Sequence, residues 1–161
     1  MSMLRLATVA LVCAVATPTS AQLLTEKSLS MAQALTIAQT TVDTCRTNGY
    51  RVSVTVVGRN GEVLLQLRGD GTSPHTMENS FRKAYTSRTL RVPSGDFAKR
   101  VKDDPTIGLS RLSNVIASQG ALPIKVGEDV IAAAGASGAP GGEKDEACIK
   151  AGIDKIADQL K

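Results

Sequence analysis

The chain has 161 residues, of which 42% are hydrophobic, 21% charged and 2% aromatic, and its formal net charge is +4. This length suits one domain with a short appendage, and the composition excludes a disordered chain and a bundle of membrane helices. Tryptophan is absent, and the chain has two Tyr and two Phe. Nucleic-acid modules and sugar-binding clefts use aromatic stacking platforms, so we expect no nucleic-acid partner.

The first residues predict a secretory signal peptide over 1–21. A positive charge at Arg5 precedes a short apolar run, and small residues follow it up to Ala21. The run is too short for a transmembrane helix. We expect a single mature domain over 22–161, periplasmic or secreted, with no membrane insertion once the signal is removed. Loss of Arg5 lowers the net charge to +3, a mild basicity that identifies no partner.

The mature chain keeps an even pair of cysteines, Cys45 and Cys148. In an exported protein such a pair is compatible with one disulfide bond. Two buried, unbonded cysteines that act as small apolar side chains fit the sequence equally well. Because the sequence does not give the distance between their Cα atoms, both alternatives stay open.

Hydrophobic periodicity predicts alternating blocks of helices and strands. Apolar residues three and four apart indicate helices, and alternation of every second residue indicates strands. Pro93 is expected to end the second helix, since it lacks an amide donor. The predicted elements are a helix over 28–49, a hairpin over 52–67, a helix over 76–90, a short helix carrying Phe97 and Val101, strands at 115–116, 122–126 and 130–136, and a final helix carrying Ile149, Ile153, Ile156 and Leu160.

The order of these elements predicts an α+β fold. Strands joined by short turns pair in antiparallel fashion, which leaves one face of the sheet for helices to cover. A domain of two or three layers follows. The segment 132–134 consists of three alanines, which have a low strand propensity, so burial must decide whether it forms a strand.

His75 is the only histidine in the chain, and it lies between a glycine-rich loop and a predicted helix start. A neutral imidazole there could ligate haem iron or another transition metal, although a solvent-exposed histidine without a ligand fits the same pattern. Asp70 and Glu78 could complete a small metal site with His75, but their spacing fixes no geometry.

Three cationic residues near His75 are candidate contacts for an anionic ligand. Arg68 precedes the loop, where it could meet a carboxylate or could brace the turn. Arg82 and Lys83 make the following helix basic. They could neutralise an anionic ligand, or they could belong to an ordinary solvated helix face. The glycine-rich segment 135–142 resembles a phosphate loop only superficially, because acidic residues occupy the next helix start and would repel phosphate.

Several segments together resemble the GlcG/HbpS-like haem-binding family. The resemblance covers about residues 23–160 and rests on four stretches in the same order and spacing. The first is Arg68-Gly69-Asp70-Gly71-Thr72 and the second Arg82-Lys83-Ala84-Tyr85-Thr86, the third is Gly120-Ala121-Leu122-Pro123-Ile124, and the fourth is Gly135-Ala136-Ser137-Gly138-Ala139 together with the nearby Asp145-Glu146-Ala147-Cys148. The resemblance implies a profilin-like fold with an antiparallel sheet of about five strands flanked by helices, and it implies self-association into homo-oligomers.

The resemblance also implies haem as the cofactor, and haem degradation or redox sensing in some exported members. His75 lies in the loop where some members carry a histidine and is the candidate ligand of the haem iron. Arg68, Arg82 and Lys83 are then candidate contacts for the propionates, and Met31 and Tyr85 are alternative iron ligands. A second hypothesis is a non-enzymatic oligomeric scaffold or a sensor module that binds a small anion. Whether the chain catalyses a reaction stays open.

Overall fold

The computed structural model describes residues 22–161, so the predicted signal peptide lies outside the described residues. The described chain contains four helices and one four-stranded sheet, with short 3-10 turns at Gly108–Arg111 and Ala157–Gln159. The helices are α1 (Met31–Thr47), α2 (Thr76–Leu90), α3 (Ser94–Asp103) and α4 (Gly142–Asp154), and the strands are β1 (Ser53–Val57), β2 (Val63–Arg68), β3 (Ala121–Val126) and β4 (Asp129–Ser137).

All neighbouring strands of the sheet are antiparallel, in the order β2-β1-β4-β3. Val54 in β1 pairs with Leu67 in β2 on one side and with Ala136 in β4 on the other. The predicted α+β fold with an antiparallel sheet flanked by helices is therefore confirmed, with four strands rather than about five.

The predicted strand at 115–116 is the one that the described residues do not form. Val115 is buried, but the backbone of this segment bonds to side chains of α2 and not to a strand. The Ile116 N–H donates to Thr86 Oγ1 (2.9 Å), and Arg82 Nη2 donates to the Val115 carbonyl (3.0 Å). These bonds satisfy the backbone polar groups that a sheet would otherwise satisfy.

Helices cover both faces of the sheet, giving three layers. On one face, α1 and α4 pack against Val54 and Val56 of β1 in the larger apolar core, which includes Ile37 and Ile149. On the other face lies α2, with α3 beside it. The hydroxyl side chains of β1 face α2 and form hydrogen bonds with hydroxyl groups of that helix. Their alternation with valines is typical of a strand with one face in solvent, but here both faces are buried.

Small residues on β4 let α2 approach the sheet closely. A Cβ atom at Gly135 would collide with the Ser80 carbonyl oxygen and would lie 2.7 Å from the Ala84 nitrogen. Ala133 packs with Ala84 and Val57 in a second, smaller apolar cluster. The three alanines at 132–134 are thus part of a central strand that is buried from Val130 onward, and burial stabilises it in spite of their low strand propensity.

A capping box at its start and a disulfide bond to α4 hold α1 in place. The Ser30 side chain accepts a hydrogen bond from the Gln33 N–H, and the Gln33 side chain accepts one from the Ser30 N–H, which forms a capping box. Near the other end of α1, Cys45 is disulfide-bonded to Cys148 of α4, with Cα atoms 5.5 Å apart. None of the helices between residues 22 and 161 is long and apolar enough to cross a membrane.

Candidate functional site

A polar cavity of about 410 Å³ opens beside the start of α2, the loop after β4 and the start of α4. Hydroxyl, amide and charged side chains line it together with several glycines. Arg51 and His75 are exposed and belong to its outer rim, whereas Lys83 and Asp145 are buried and belong to its interior. We refer to this space as the polar cavity.

The interior of the polar cavity contains a buried ion pair between two helices. Lys83 of α2 and Asp145 of α4 are only 4% and 2% exposed, and Lys83 Nζ lies 2.9 Å from Asp145 Oδ2. The ammonium also donates to the Ala136 carbonyl (3.1 Å), and Asp145 Oδ1 accepts from the Ala139 N–H (3.1 Å). Burying two charges is costly unless they are paired and hydrogen-bonded in this way.

The environment of Asp145 shifts its acidity. Burial raises the pKa of the Asp145 carboxyl above its ordinary value, and this is the largest influence on it. The charge of Lys83 and the hydrogen bonds from Lys83 and the Ala139 N–H lower the pKa and so limit the rise. Lys83 therefore offsets part of the cost of burying the Asp145 carboxylate.

Two glycines with positive φ shape the backbone around the polar cavity. Gly138 has a φ of +134°, and a Cβ atom there would collide with the Arg51 carbonyl oxygen. Gly120 has a φ of +131°, and a Cβ atom there would lie 2.6 Å from Lys83 Nζ and 3.1 Å from Asp145 Cβ. Glycine tolerates such backbone angles and such close approach, so Gly120 leaves space for the ion pair and Gly138 lets the loop after β4 pass close to Arg51.

Hydrogen bonds between buried side chains hold α2 against β1 and β4 beside the polar cavity. Ser53 Oγ lies 2.8 Å from Thr76 Oγ1, and one turn further along, Thr55 Oγ1 lies 2.8 Å from Ser80 Oγ. Asn79 Nδ2 donates to Ser137 Oγ at 2.9 Å. Because buried polar groups are costly to leave unpaired, these bonds fix the rotation of α2 and hence the side chains that it presents to the cavity.

His75 is exposed at the residue that precedes α2, and its side chain makes no capping hydrogen bond. It lines the polar cavity and also a shallow groove of about 270 Å³ with Glu78, Asn79 and Arg82. Arg82 Nη1 lies 3.7 Å from Glu78 Oε1. The imidazole is thus accessible from two sides, next to a cation of the same helix.

The four predicted binding residues are placed differently. His75 and Lys83 line the polar cavity, and Arg82 lines the adjoining groove with His75. Arg68 lines neither space; it braces the loop by donating to the Thr72 carbonyl (3.1 Å) and to Thr72 Oγ1 (3.3 Å). The interpretation of this helix face as an ordinary solvated one is wrong for Lys83, which is buried.

The alternative iron ligands lie away from the polar cavity. Met31 is 68% exposed at the start of α1, which covers the opposite face of the sheet. Tyr85 packs against Phe81, with ring centroids 5.8 Å apart, and against Gly61. Among residues 22–161, no group of three or more His, Cys, Asp and Glu side chains could hold a metal ion, so the structure does not assemble the suggested site with Asp70, His75 and Glu78.

The sequence reasoning missed Asp145 and Arg51 as cavity residues. Asp145 lies in an acidic first turn of α4, where a carboxylate is expected simply to complement the helix dipole. A usable signal did exist for Lys83. The buried residues of α2 include Thr76, Ser80, Lys83 and Ser87, and this spacing places the lysine on the inward helix face.

Fold and site define a class: a small three-layer α+β domain with a histidine beside a polar cavity. The family of haem-degrading HbpS-like proteins matches residues 29–154, and the chain belongs to this family. Among solved structures, HbpS is 33% identical with a TM-score of 0.79, and the match covers 86% of this chain and 99% of that chain. A double mutant of Streptomyces reticuli HbpS is 32% identical, with the same TM-score, over 88% of this chain and 98% of that chain.

A more distant similarity links the chain to the Klebsiella pneumoniae protein ORFY, at 25% identity and a TM-score of 0.75, covering 88% of this chain and 97% of that chain. The PduOC haem complex is 19% identical with a TM-score of 0.73, over 80% of this chain and 94% of that chain, and it shows the shared fold alone. Comparison with the curated proteins finds no match.

Proposed function

We propose that the chain is an exported haem-binding protein, with His75 as the ligand of the haem iron. Membership of the haem-degrading HbpS-like family supports the cofactor, and so does the 33% identity to HbpS. The observation that carries the site is His75 itself, an exposed imidazole without a capping bond at the junction of two surface depressions. Imidazole is a common axial ligand of haem iron.

The residues around His75 fit haem at the protein surface and not inside the polar cavity. The cavity lining is predominantly polar, whereas a porphyrin ring needs apolar surroundings to be buried favourably. The ring therefore lies outside the cavity in this proposal, beside His75 and the groove that contains Arg82. Arg82 is the candidate propionate contact in the groove, and Lys83 serves a carboxylate that enters the cavity. Arg68 has the weaker case because it braces its own loop.

Haem degradation or redox sensing is an accessory activity in this proposal. Bound haem supplies the iron and peroxide chemistry of its own breakdown. The contribution of the chain is then to hold and orient the ring through His75 and the neighbouring cations, with no protein nucleophile. Both Cys45 and Cys148 are bonded to each other and buried, so neither is available as a thiolate.

Export to the periplasm or the medium agrees with the signal-like segment 1–21 and with the Cys45–Cys148 bond. Disulfides persist mainly in oxidising compartments. Homo-oligomerisation is part of the same proposal.

The second candidate function, a non-enzymatic oligomeric scaffold or a small-anion sensor, is favoured by one observation, the polarity of the cavity. A native mass measurement of the purified protein, with any retained ligand, tests the oligomer and distinguishes an assembly that carries haem from one that carries none.

A haem titration of site variants tests the assignment of His75. The chain from Gln22 to Lys161 contains all the helices and strands described above, and it is titrated with ferric haem while the Soret band is followed. We expect a saturable, shifted band that His75→Ala weakens at least tenfold. Pro74→Ala, at an exposed residue of the same loop that lines neither the cavity nor the groove, is the matched control and should bind as the wild type does.

The alternative ligands are tested in the same titration. A band that survives His75→Ala but is lost in Met31→Leu or Tyr85→Phe moves the iron to that residue and overturns the assignment of His75. Absence of a saturable band in the wild type would overturn the haem proposal and leave the scaffold or anion sensor as the better account.

A further inference from the structure

We propose that the polar cavity is a carboxylate-binding site. The carboxylate comes either from a small free organic acid or from a propionate arm of haem, and only the second source rests on the proposed function. Hydrogen-bond donors, charge and size each support this class of ligand.

Lys83 offers an unused donor to the polar cavity. An ammonium has three N–H donors, and two of them are directed to Asp145 Oδ2 and to the Ala136 carbonyl. Lys83 lines the cavity, so the third can reach a ligand there. Both oxygens of Asp145 already accept a hydrogen bond, from Lys83 and from the Ala139 N–H. The ion pair therefore offers a ligand one N–H of the Lys83 ammonium, next to a carboxylate whose two oxygens are both already hydrogen-bonded.

Other groups on the cavity wall supply further donors. Asn79 gives one amide hydrogen to Ser137 Oγ and keeps a second. The exposed Arg51 guanidinium belongs to the rim. The lining contains two cationic side chains, Arg51 and Lys83, and one carboxylate, Asp145. Such a lining complements an anion rich in acceptors.

The start of α4 is not the anion's position. Glu143 lies next to Gly141 at that helix start and there complements the helix dipole itself. A phosphate, with its higher charge, would be repelled at this end of the cavity. The complementary position for a carboxylate is the α2 side of the cavity, where Asn79 and the Lys83 ammonium supply hydrogen-bond donors.

The size of the polar cavity suits a small acid. A volume of about 410 Å³ lies at the lower end of the range for small-molecule sites. This space accommodates a short carboxylic acid or one propionate arm, whereas the polar lining disfavours the porphyrin ring. With His75 on the rim, the porphyrin ring lies outside the cavity and one propionate of the haem reaches inward. The same cavity can therefore accept a propionate or a small free acid.

The first experiment titrates the ligand-free full chain with small acids. Acetate, propionate and succinate are added at constant ionic strength, each alongside its neutral amide, and NMR follows the Asn79 side-chain amide and the loop 138–142. We expect saturable shifts with at least one acid and none with its amide. Ser118→Tyr places a large side chain in the cavity lining and should weaken binding at least tenfold, whereas Ala117→Tyr, at the exposed preceding residue, should leave it unchanged.

The second experiment compares haem with haem dimethyl ester, in which both propionates are blocked. At least tenfold tighter binding of the free acid, lost in Ser118→Tyr and kept in Ala117→Tyr, assigns the site to a propionate. Saturable binding of a small acid with the same pattern of variants assigns it to a free acid. If haem and its ester bind equally and no small acid binds, the cavity proposal is overturned while haem binding at His75 stands. If haem does not bind but a small acid does, the proposed function fails and the carboxylate site remains.

Discussion

Replacing Lys83 by Met tests the buried ion pair beside the candidate site. Lys83→Met keeps a chain of similar length but removes the ammonium, so the hydrogen bonds to Asp145 (2.9 Å) and to the Ala136 carbonyl (3.1 Å) are lost. Asp145, only 2% exposed, is left as an uncompensated buried charge. Breaking a buried pair in this way typically destabilises a protein by about 3–5 kcal/mol. In a domain of this size, that loss lowers the Tm by about 10–20 °C.

The pH dependence of this loss follows from the Asp145 carboxyl. Burial already raises its pKa in the folded protein, and Lys83 limits that rise, so removing Lys83 raises the folded-state pKa further. A raised carboxyl pKa favours the folded state at low pH, and this stabilisation is lost as the pH rises from the ordinary carboxyl range through the folded-state pKa. The stability deficit of Lys83→Met relative to the wild type should therefore be larger at pH 8 than at pH 5.

Urea unfolding at both pH values, followed by circular dichroism, measures this deficit. Lys150→Met is the matched control, because it removes an exposed lysine whose Nζ lies 2.6 Å from Asp154, and such surface pairs contribute about 0–1 kcal/mol. The double variant Lys83→Met/Asp145→Leu should recover most of the lost stability. A deficit below about 1 kcal/mol in Lys83→Met, or a deficit that is the same at both pH values, would refute the reasoning.

Two further predictions concern packing. Cys45→Ala/Cys148→Ala removes a bond that spans 103 residues and should lower the free energy of unfolding by about 2–5 kcal/mol, measured by urea unfolding; a smaller loss would contradict the role assigned to the α1–α4 link. Gly135→Ala forces a methyl group against the backbone of α2 and should cost about 1–3 kcal/mol by overpacking, while Gly108→Ala, with open space around its Cβ position, should cost far less in the same assay.

The predicted elements are most accurate where local patterns and local structure agree. The helix predicted over 76–90 has those bounds in the structure, and the hairpin forms as β1 and β2 around a glycine-containing turn. The strand predicted at 115–116 is wrong because its backbone bonds to Arg82 and Thr86, about thirty residues away in sequence. Two consecutive apolar residues give no sign that their backbone N–H and C=O groups bond to side chains of a helix.

Long-range contacts also limit how much of the site could be predicted. His75 could be identified from the sequence as an accessible imidazole at a helix start, because that property is local. The burial of Lys83 depends on Asp145, and α3, β3 and β4 separate these two residues along the chain. Likewise, Ser53 and Thr55 alternate with valines as residues facing solvent would, and their burial depends on hydroxyl partners in α2.

The measurement that tests the central claim most directly is an equilibrium titration of the wild-type chain with ferric haem, followed by the Soret band. Haem binding beside His75 predicts a shifted band that saturates at one haem per chain, with a dissociation constant in the micromolar range or tighter, about −8 kcal/mol or better. A Soret spectrum that remains that of free haem across the whole titration, with folded protein in excess, would contradict the account.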